Sequence, residues 1–303
     1  MSGDTSGGMS DAAVSRRSLA FLALLAGAVA IGFAPIFVRL SDTSPTASAF
    51  WRVALAAPVL WAWLLTSQRG SVTADAPSSR HTLRILILTG VMFACDLGVW
   101  HLSVAWTSVA NSTLEANFAP IFVTLGAWLL WKQRPTALFV IALAITLAGA
   151  MLLIGPNYNA GGTAFIGDAL GLLAAVFYAG YMLSLKAATG RTSILRIMAI
   201  STTVSAIALL PYALLTAEHF WPQGTTGWLV LAALALLPHV AGQSLIAWGF
   251  THLPAALSSV SLLLQVVVAT LCAWLLLGEA MQPVQMAGGA IVLAGIYLAR
   301  RTG

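Results

Sequence analysis

The segment Thr124–Leu130, Thr-Leu-Gly-Ala-Trp-Leu-Leu, returns at Thr270–Leu276 as Thr-Leu-Cys-Ala-Trp-Leu-Leu, 146 residues further along the chain. With no gap, the same shift carries Ala144–Gly149 onto Ala290–Gly295 and sets Gly32 opposite Tyr178 in two similar apolar segments. Self-similarity at one fixed period marks duplicated architecture. Two halves of nearly equal length are therefore expected.

Each half has to be a membrane unit. Apolar residues make up 59% of the 303 and charged ones 8%, against roughly 25% charged in a soluble domain. Apolar runs of about the 20 residues that cross a bilayer occur at 19–40, 45–67, 82–104, 108–131 and 135–155, and again at 167–186, 193–216, 226–248, 254–277 and 283–299. The expected fold is an all-α membrane protein of ten helices, five per repeat. Its expected divisions are a disordered cytoplasmic N-terminus (1–18), a first repeat (19–155), an extracellular linker (156–166) and a second repeat (167–301). Cys95 and Cys272 fall inside spans and read as packing residues, not as a disulfide framework. Arg16-Arg17-Ser18-Leu19 is similar to a twin-arginine export signal, but the apolar run after it exceeds the 7–15 residues of a signal core, so a retained first helix is expected.

The net charge of +5 marks topology and implies no nucleic-acid partner. Arg16 and Arg17, then Arg69, Arg80 and Arg84, then Lys132 and Arg134, then Lys186, Arg191 and Arg196, and finally Arg300 and Arg301 all border alternate loops on one side. Loops rich in Lys and Arg stay in the cytoplasm, which puts both termini there. An odd number of helices per repeat makes the second half enter from the opposite side, so the repeats are inverted. Inverted halves are a common transporter design, with the solute bound near the midplane between them.

Ionisable groups inside spans cost about 2.5–3.5 kcal/mol each on insertion scales and usually face a cavity or a partner. Arg52, Asp96 and Glu115 each lie some seven residues from the outer end of their helix, hence at similar depth, roughly 10 Å at 1.5 Å per residue. In one reading Arg52 binds a carboxylate while Asp96 or Glu115 meets an amine or a coupling proton; in the other the three form a structural ion pair that closes the bundle. Asn111, Glu115 and Phe118 share one face of the fourth helix by i, i+4, i+7 spacing, and His239 and Gln243 lie one turn apart on the eighth. These polar pairs suit either a cavity wall or interhelical hydrogen bonding. Phe33, Tyr178 and Tyr181, near the repeat-equivalent point of helices 1 and 6, are candidates for an aromatic lining that suits a partly apolar solute or a cation over a ring. Most of the 11 tryptophans are expected in interfacial belts. Gly167 with Gly171, and Gly288 with Gly289, read as close helix packing. His101, His219 and His252 have no partner at a metal-ligand spacing, so neither metal nor cofactor is expected.

Several short motifs carry a resemblance: Phe50-Trp51-Arg52, Ala105 to Ser112 (Ala-Trp-Thr-Ser-Val-Ala-Asn-Ser), Pro120-Ile121-Phe122-Val123, Gly278-Glu279 and Leu293-Ala294-Gly295. In their order, with the five-plus-five count, the chain resembles the drug/metabolite transporter superfamily and its ten-helix EamA branch over roughly 19–299. The resemblance implies a bacterial inner-membrane carrier, monomer or weak dimer, with helices 1–4 and 6–9 around a central cavity and helices 5 and 10 outside. It further implies likeness to exporters of amino acids, aromatic ones included. Two departures stand out: Ile31-Gly32 where the family often has Trp-Gly, and Lys132-Gln133 where Gly-Glu is expected after helix 4.

The expected activity is export of small amphipathic solutes, foremost amino acids, by alternating access; the alternative is a proton-coupled exporter of drugs or quaternary cations working through Glu115. Sugar-phosphate exchange would need several basic residues in the cavity, where only Arg52 qualifies. An enzyme is disfavoured because the chain has neither Gly-x-Ser-x-Gly nor His-Glu-x-x-His.

Overall fold

The computed structural model describes residues 6–68, 79–106, 114–155, 164–278 and 280–301. Among the described residues, ten helical spans are long and apolar enough to cross a membrane: α1 (Ser15–Leu40), α2 (Pro45–Ser67), α3 (Arg80–Trp100), α4 (Leu114–Trp131), α5 (Ala137–Ile154), α6 (Phe165–Ala188), α7 (Ile194–Thr216), α8 (Gly224–His252), α9 (Ala255–Leu277) and α10 (Pro283–Arg300). No strand occurs among the described residues; one isolated bridge links Thr189 to Thr192. The helix of α1 extends back to Ser6.

Local chemistry sets the ends of the spans. Pro135 and the Thr136 hydroxyl, which accepts from the Phe139 N–H at 3.2 Å, start α5. A capping box between Gln282 and Gln285, with Pro283 in the first turn, starts α10. α9 ends on Gly278 at φ +70°, and α4 ends on its repeat equivalent Lys132 at φ +57°. The first-repeat turn thus keeps its left-handed geometry although its residue is not glycine, at a cost of about 1–2 kcal/mol.

Three spans are broken, which periodicity alone does not anticipate. α1 breaks at Phe33, α4 at Asn117–Phe118 and α9 at Leu262–Leu263. The first two breaks share one hexapeptide, Phe-Ala-Pro-Ile-Phe-Val, at 33–38 and 118–123. Both phenylalanines sit at φ −78°. Pro35 and Pro120 have no N–H to give the carbonyls of Ile31 and Ala116, so each helix must restart. In α8, Ala235–Gln243 is a π-helix containing Pro238.

The helix pairing has the symmetry that the repeat demands. Exchanging the two halves turns the α1–α8 contact into α6–α3, α1–α9 into α6–α4, and α2–α8 into α7–α3, while α2–α7 and α5–α10 map onto themselves. Every one of these contacts is made. α5 and α10 pack chiefly on each other. Their seam is backbone against backbone: a Cβ on Gly149 would lie 2.7 Å from the Val292 nitrogen, and one on Gly288 would lie 2.7 Å from both the Gly149 oxygen and the Leu153 nitrogen. Small residues permit such approach in a lipid setting, where packing replaces the hydrophobic drive. Gln285 closes the seam by donating to the Leu153 carbonyl at 3.0 Å.

Candidate functional site

Phe93 on α3 and His239 on α8 are repeat equivalents, 146 residues apart. Their ring centroids lie 5.6 Å apart. Two residues that a two-fold operation exchanges, and that touch each other, must flank its axis, so this contact marks the centre of the molecule. Side chains from α2, α6 and α7 converge on it. The Arg52 guanidinium carbon stands 5.9 Å from the Phe93 ring centroid, and Tyr181 packs on the same ring at 4.8 Å. Tyr178 stacks near Tyr181 at 6.0 Å with the rings 15° from parallel. Tyr181 donates its hydroxyl to Gln243 Oε1 at 2.9 Å, and the Thr202 hydroxyl meets His239 Nε2 at 2.9 Å.

The polar groups of this cluster are buried but incompletely paired. Arg52 is 9% exposed and His239 1%, yet among the described residues Arg52 Nε and His239 Nδ1 have no hydrogen-bond partner. Half-buried Asp96, one turn beyond Phe93, interacts electrostatically with Arg52. Native interiors rarely leave buried donors or acceptors unmet. The π-helix carries both His239 and Gln243 and widens α8 where α1 approaches it, with Gly27 packed against the Gly242 carbonyl. Such π segments often occur at functional positions.

A narrow cleft with room for about one water molecule adjoins the cluster through Tyr178, at the breaks of α4 and α9; Asn117, Pro120, Met182, Ser259 and Gln265 also line it. Solute pockets usually occupy roughly 300–1,000 Å³. The helices must therefore part to admit more than a few atoms.

Of the residues singled out from the sequence, the structure brings together Arg52, Asp96, Tyr178, Tyr181, His239 and Gln243. It does not add Glu115. That side chain is buried at the start of α4, packs on Gly171 of α6 and shares a hydrogen bond with Asp168 of α6. Equal depth did not place it beside Arg52, because the two helices face different neighbours. The face expected to join Glu115 to Phe118 is also interrupted by the break at Asn117–Phe118. Phe33 is stacked on Phe37 at 6.5 Å, and Asn111 lies outside the described residues. Phe93, Thr202 and Asp168 were not anticipated. Phe93 had a signal, its alignment with His239 at the repeat offset.

At one end of the molecule the repeats are fastened by the turns α1–α2 and α7–α8. Asp42 Oδ2 accepts from the Gln223 N–H at 2.6 Å, at the N-terminus of α8. The Ser44 N–H donates to the His219 carbonyl at 2.9 Å, and the His219 N–H donates back to Ser44 Oγ at 3.0 Å. Trp51 donates to the Phe220 carbonyl at 2.8 Å and packs among Phe50, Phe220, Trp221 and Trp228.

This architecture has relatives. Residues 18–155 and 165–301 each match the model of the EamA-like transporter family. The chain belongs to that family. Among proteins similar to this EamA member is the Pseudopaline exporter CntI of Pseudomonas aeruginosa, 26% identical over 86% of this chain and 88% of that one. Another, from Streptantibioticus cattleyicolor, is named "Probable terminal-alkyne amino-acid exporter" and is 26% identical over 73% and 75% of the two chains. One solved crystal structure, 18% identical, matches the fold with a TM-score of 0.75 over 94% of this chain and 98% of its own. The protein is thus a multi-pass membrane protein of a transporter family.

Proposed function

We propose that this EamA protein exports small amphipathic metabolites, foremost neutral and aromatic amino acids, across the bacterial inner membrane by alternating access at the cluster between the repeats. The observation that carries the reading is a buried cation, Arg52, and a half-buried carboxylate, Asp96, set against an aromatic wall of Phe93, Tyr178 and Tyr181. A zwitterion with an apolar side chain complements that arrangement: its carboxylate meets Arg52, its ammonium Asp96, its side chain the rings. Two similar proteins bear exporter names, one of them for an amino acid. Both termini would lie in the cytoplasm, with the Asp42 turn on the outer face.

A second reading, proton-coupled export of organic cations, draws on the Glu115–Asp168 hydrogen bond. Two carboxyls bond in this way only when they share a proton. Counterflow of labelled phenylalanine in proteoliposomes separates the two. Competition by unlabelled amino acids without a pH gradient supports the amino-acid reading; competition by ethidium alone, with the gradient required, replaces it.

A further inference from the structure

The two unpartnered polar atoms of the central cluster sit on side chains that flank the same ring, Phe93, from α2 and from α8. Arg52 interacts electrostatically with His239 as well as with Asp96. Arg52 Nε is always a donor. What His239 Nδ1 offers depends on its other nitrogen, because a neutral imidazole carries one proton. Nε2 lies 2.9 Å from Thr202 Oγ1. Neighbouring hydroxyls on α7 donate to their own helix, Ser201 to the Ile197 carbonyl at 2.7 Å and Thr203 to the Ala199 carbonyl at 2.7 Å. The Thr202 hydroxyl oxygen instead meets the imidazole, where either partner can donate. When Thr202 donates, Nε2 is the acceptor and the ring proton sits on Nδ1.

We propose that Arg52 and His239 together form the subsite for the solute's carboxylate, and that Thr202 is the positioning residue that makes His239 Nδ1 a donor. Resting on the amino-acid reading above, the proposal names which group of the solute is recognised, and by what. Among the described residues neither Arg52 Nε nor His239 Nδ1 has a hydrogen-bond partner; a carboxylate supplies two acceptor oxygens, and charge-assisted bonds to it are the strong ones. Sites built to hydrogen-bond a polar group strongly reject analogues that lack it, because the donors then stay unmet. Tyr181 commits its hydroxyl proton to Gln243 Oε1 at 2.9 Å, so it does not compete for the same oxygens.

The test is equilibrium binding to purified full-length protein of phenylalanine, phenylalaninamide and phenylpropionate, in the wild type and in Thr202→Val and Thr202→Ser. Wild type should prefer phenylalanine over the amide by roughly 10- to 100-fold. Thr202→Val should weaken phenylalanine by roughly tenfold and leave the amide unchanged; Thr202→Ser, which keeps the hydroxyl, should restore the preference. A merely structural role for Thr202 would weaken both ligands alike, and that result overturns the proposal, as does Thr202→Val with an undiminished preference. If phenylpropionate binds as tightly as phenylalanine, the carboxylate subsite stands and the amino-acid reading falls. If the amide binds wild type as well as phenylalanine does, the carboxylate subsite falls while the amino-acid reading stands. Binding by none of the three overturns both.

Discussion

Replacing Asp42 by Ala should loosen the end of the molecule that the α1–α2 and α7–α8 turns hold shut. The carboxylate accepts from the Gln223 N–H at 2.6 Å and lies against Gly227 in the first turn of α8. A hydrogen bond to a charged group is worth about 1.5–3 kcal/mol, and a carboxylate at a helix N-terminus adds about 0.3–1 kcal/mol. The bond is solvent-exposed, which screens it and favours a net value of about 1–2 kcal/mol. Alternating access requires this contact to part when the face opens, so that energy weighs only on the closed state. Its loss should move the closed-to-open ratio by roughly 5- to 30-fold toward open. Spin labels at Leu40→Cys and Glu218→Cys, in protein whose Cys95 and Cys272 are replaced by Ala, report the separation by double electron–electron resonance. Asp42→Ala should enlarge a longer-distance component, and Asp42→Asn, which keeps an acceptor, should fall between it and wild type. An unchanged distance distribution in Asp42→Ala would refute the reasoning.

Other substitutions probe the frame and the second carboxyl site. Gly288→Val forces a Cβ to within 2.7 Å of the Gly149 oxygen and the Leu153 nitrogen; overpacking of that kind costs about 1–3 kcal/mol, so the thermal midpoint in detergent should fall while the half-saturation for phenylalanine stays put. Lys132→Gly relieves a left-handed residue at φ +57° and should raise the midpoint, a gain of about 1 kcal/mol after the entropy of glycine is discounted. Glu115→Gln should leave phenylalanine counterflow at the wild-type level; loss of all transport in that variant would favour the proton-coupled reading.

Much of the frame was legible because hydropathy and duplication are long-range properties of the chain. The Thr124/Thr270 repeat and the ten apolar runs are enough to derive an inverted five-plus-five bundle, and the same offset aligns Phe93 with His239 at its centre. The helix breaks were only half legible. The duplicated Phe-Ala-Pro-Ile-Phe-Val can be read at 33–38 and 118–123, but the α9 break at Leu262–Leu263 has no proline, and arises where Leu263 and Gln265 turn back on carbonyls three residues earlier. Depth along a helix put Arg52, Asp96 and Glu115 on one level. Depth does not reveal azimuth, and azimuth sends Glu115 to Asp168 and leaves Arg52 near Asp96. The Asp42–Gln223 and Trp51–Phe220 bonds join segments more than 160 residues apart, where no periodicity operates.

The most direct test of the central account is phenylalanine counterflow by Arg52→Gln in proteoliposomes, alongside its thermal melt. If the cluster at the repeat axis holds the solute, transport falls by at least tenfold, as losing a charge-assisted contact implies, while the protein still melts cooperatively. Wild-type rate and half-saturation in Arg52→Gln would contradict the account and move the solute away from the Phe93–His239 centre.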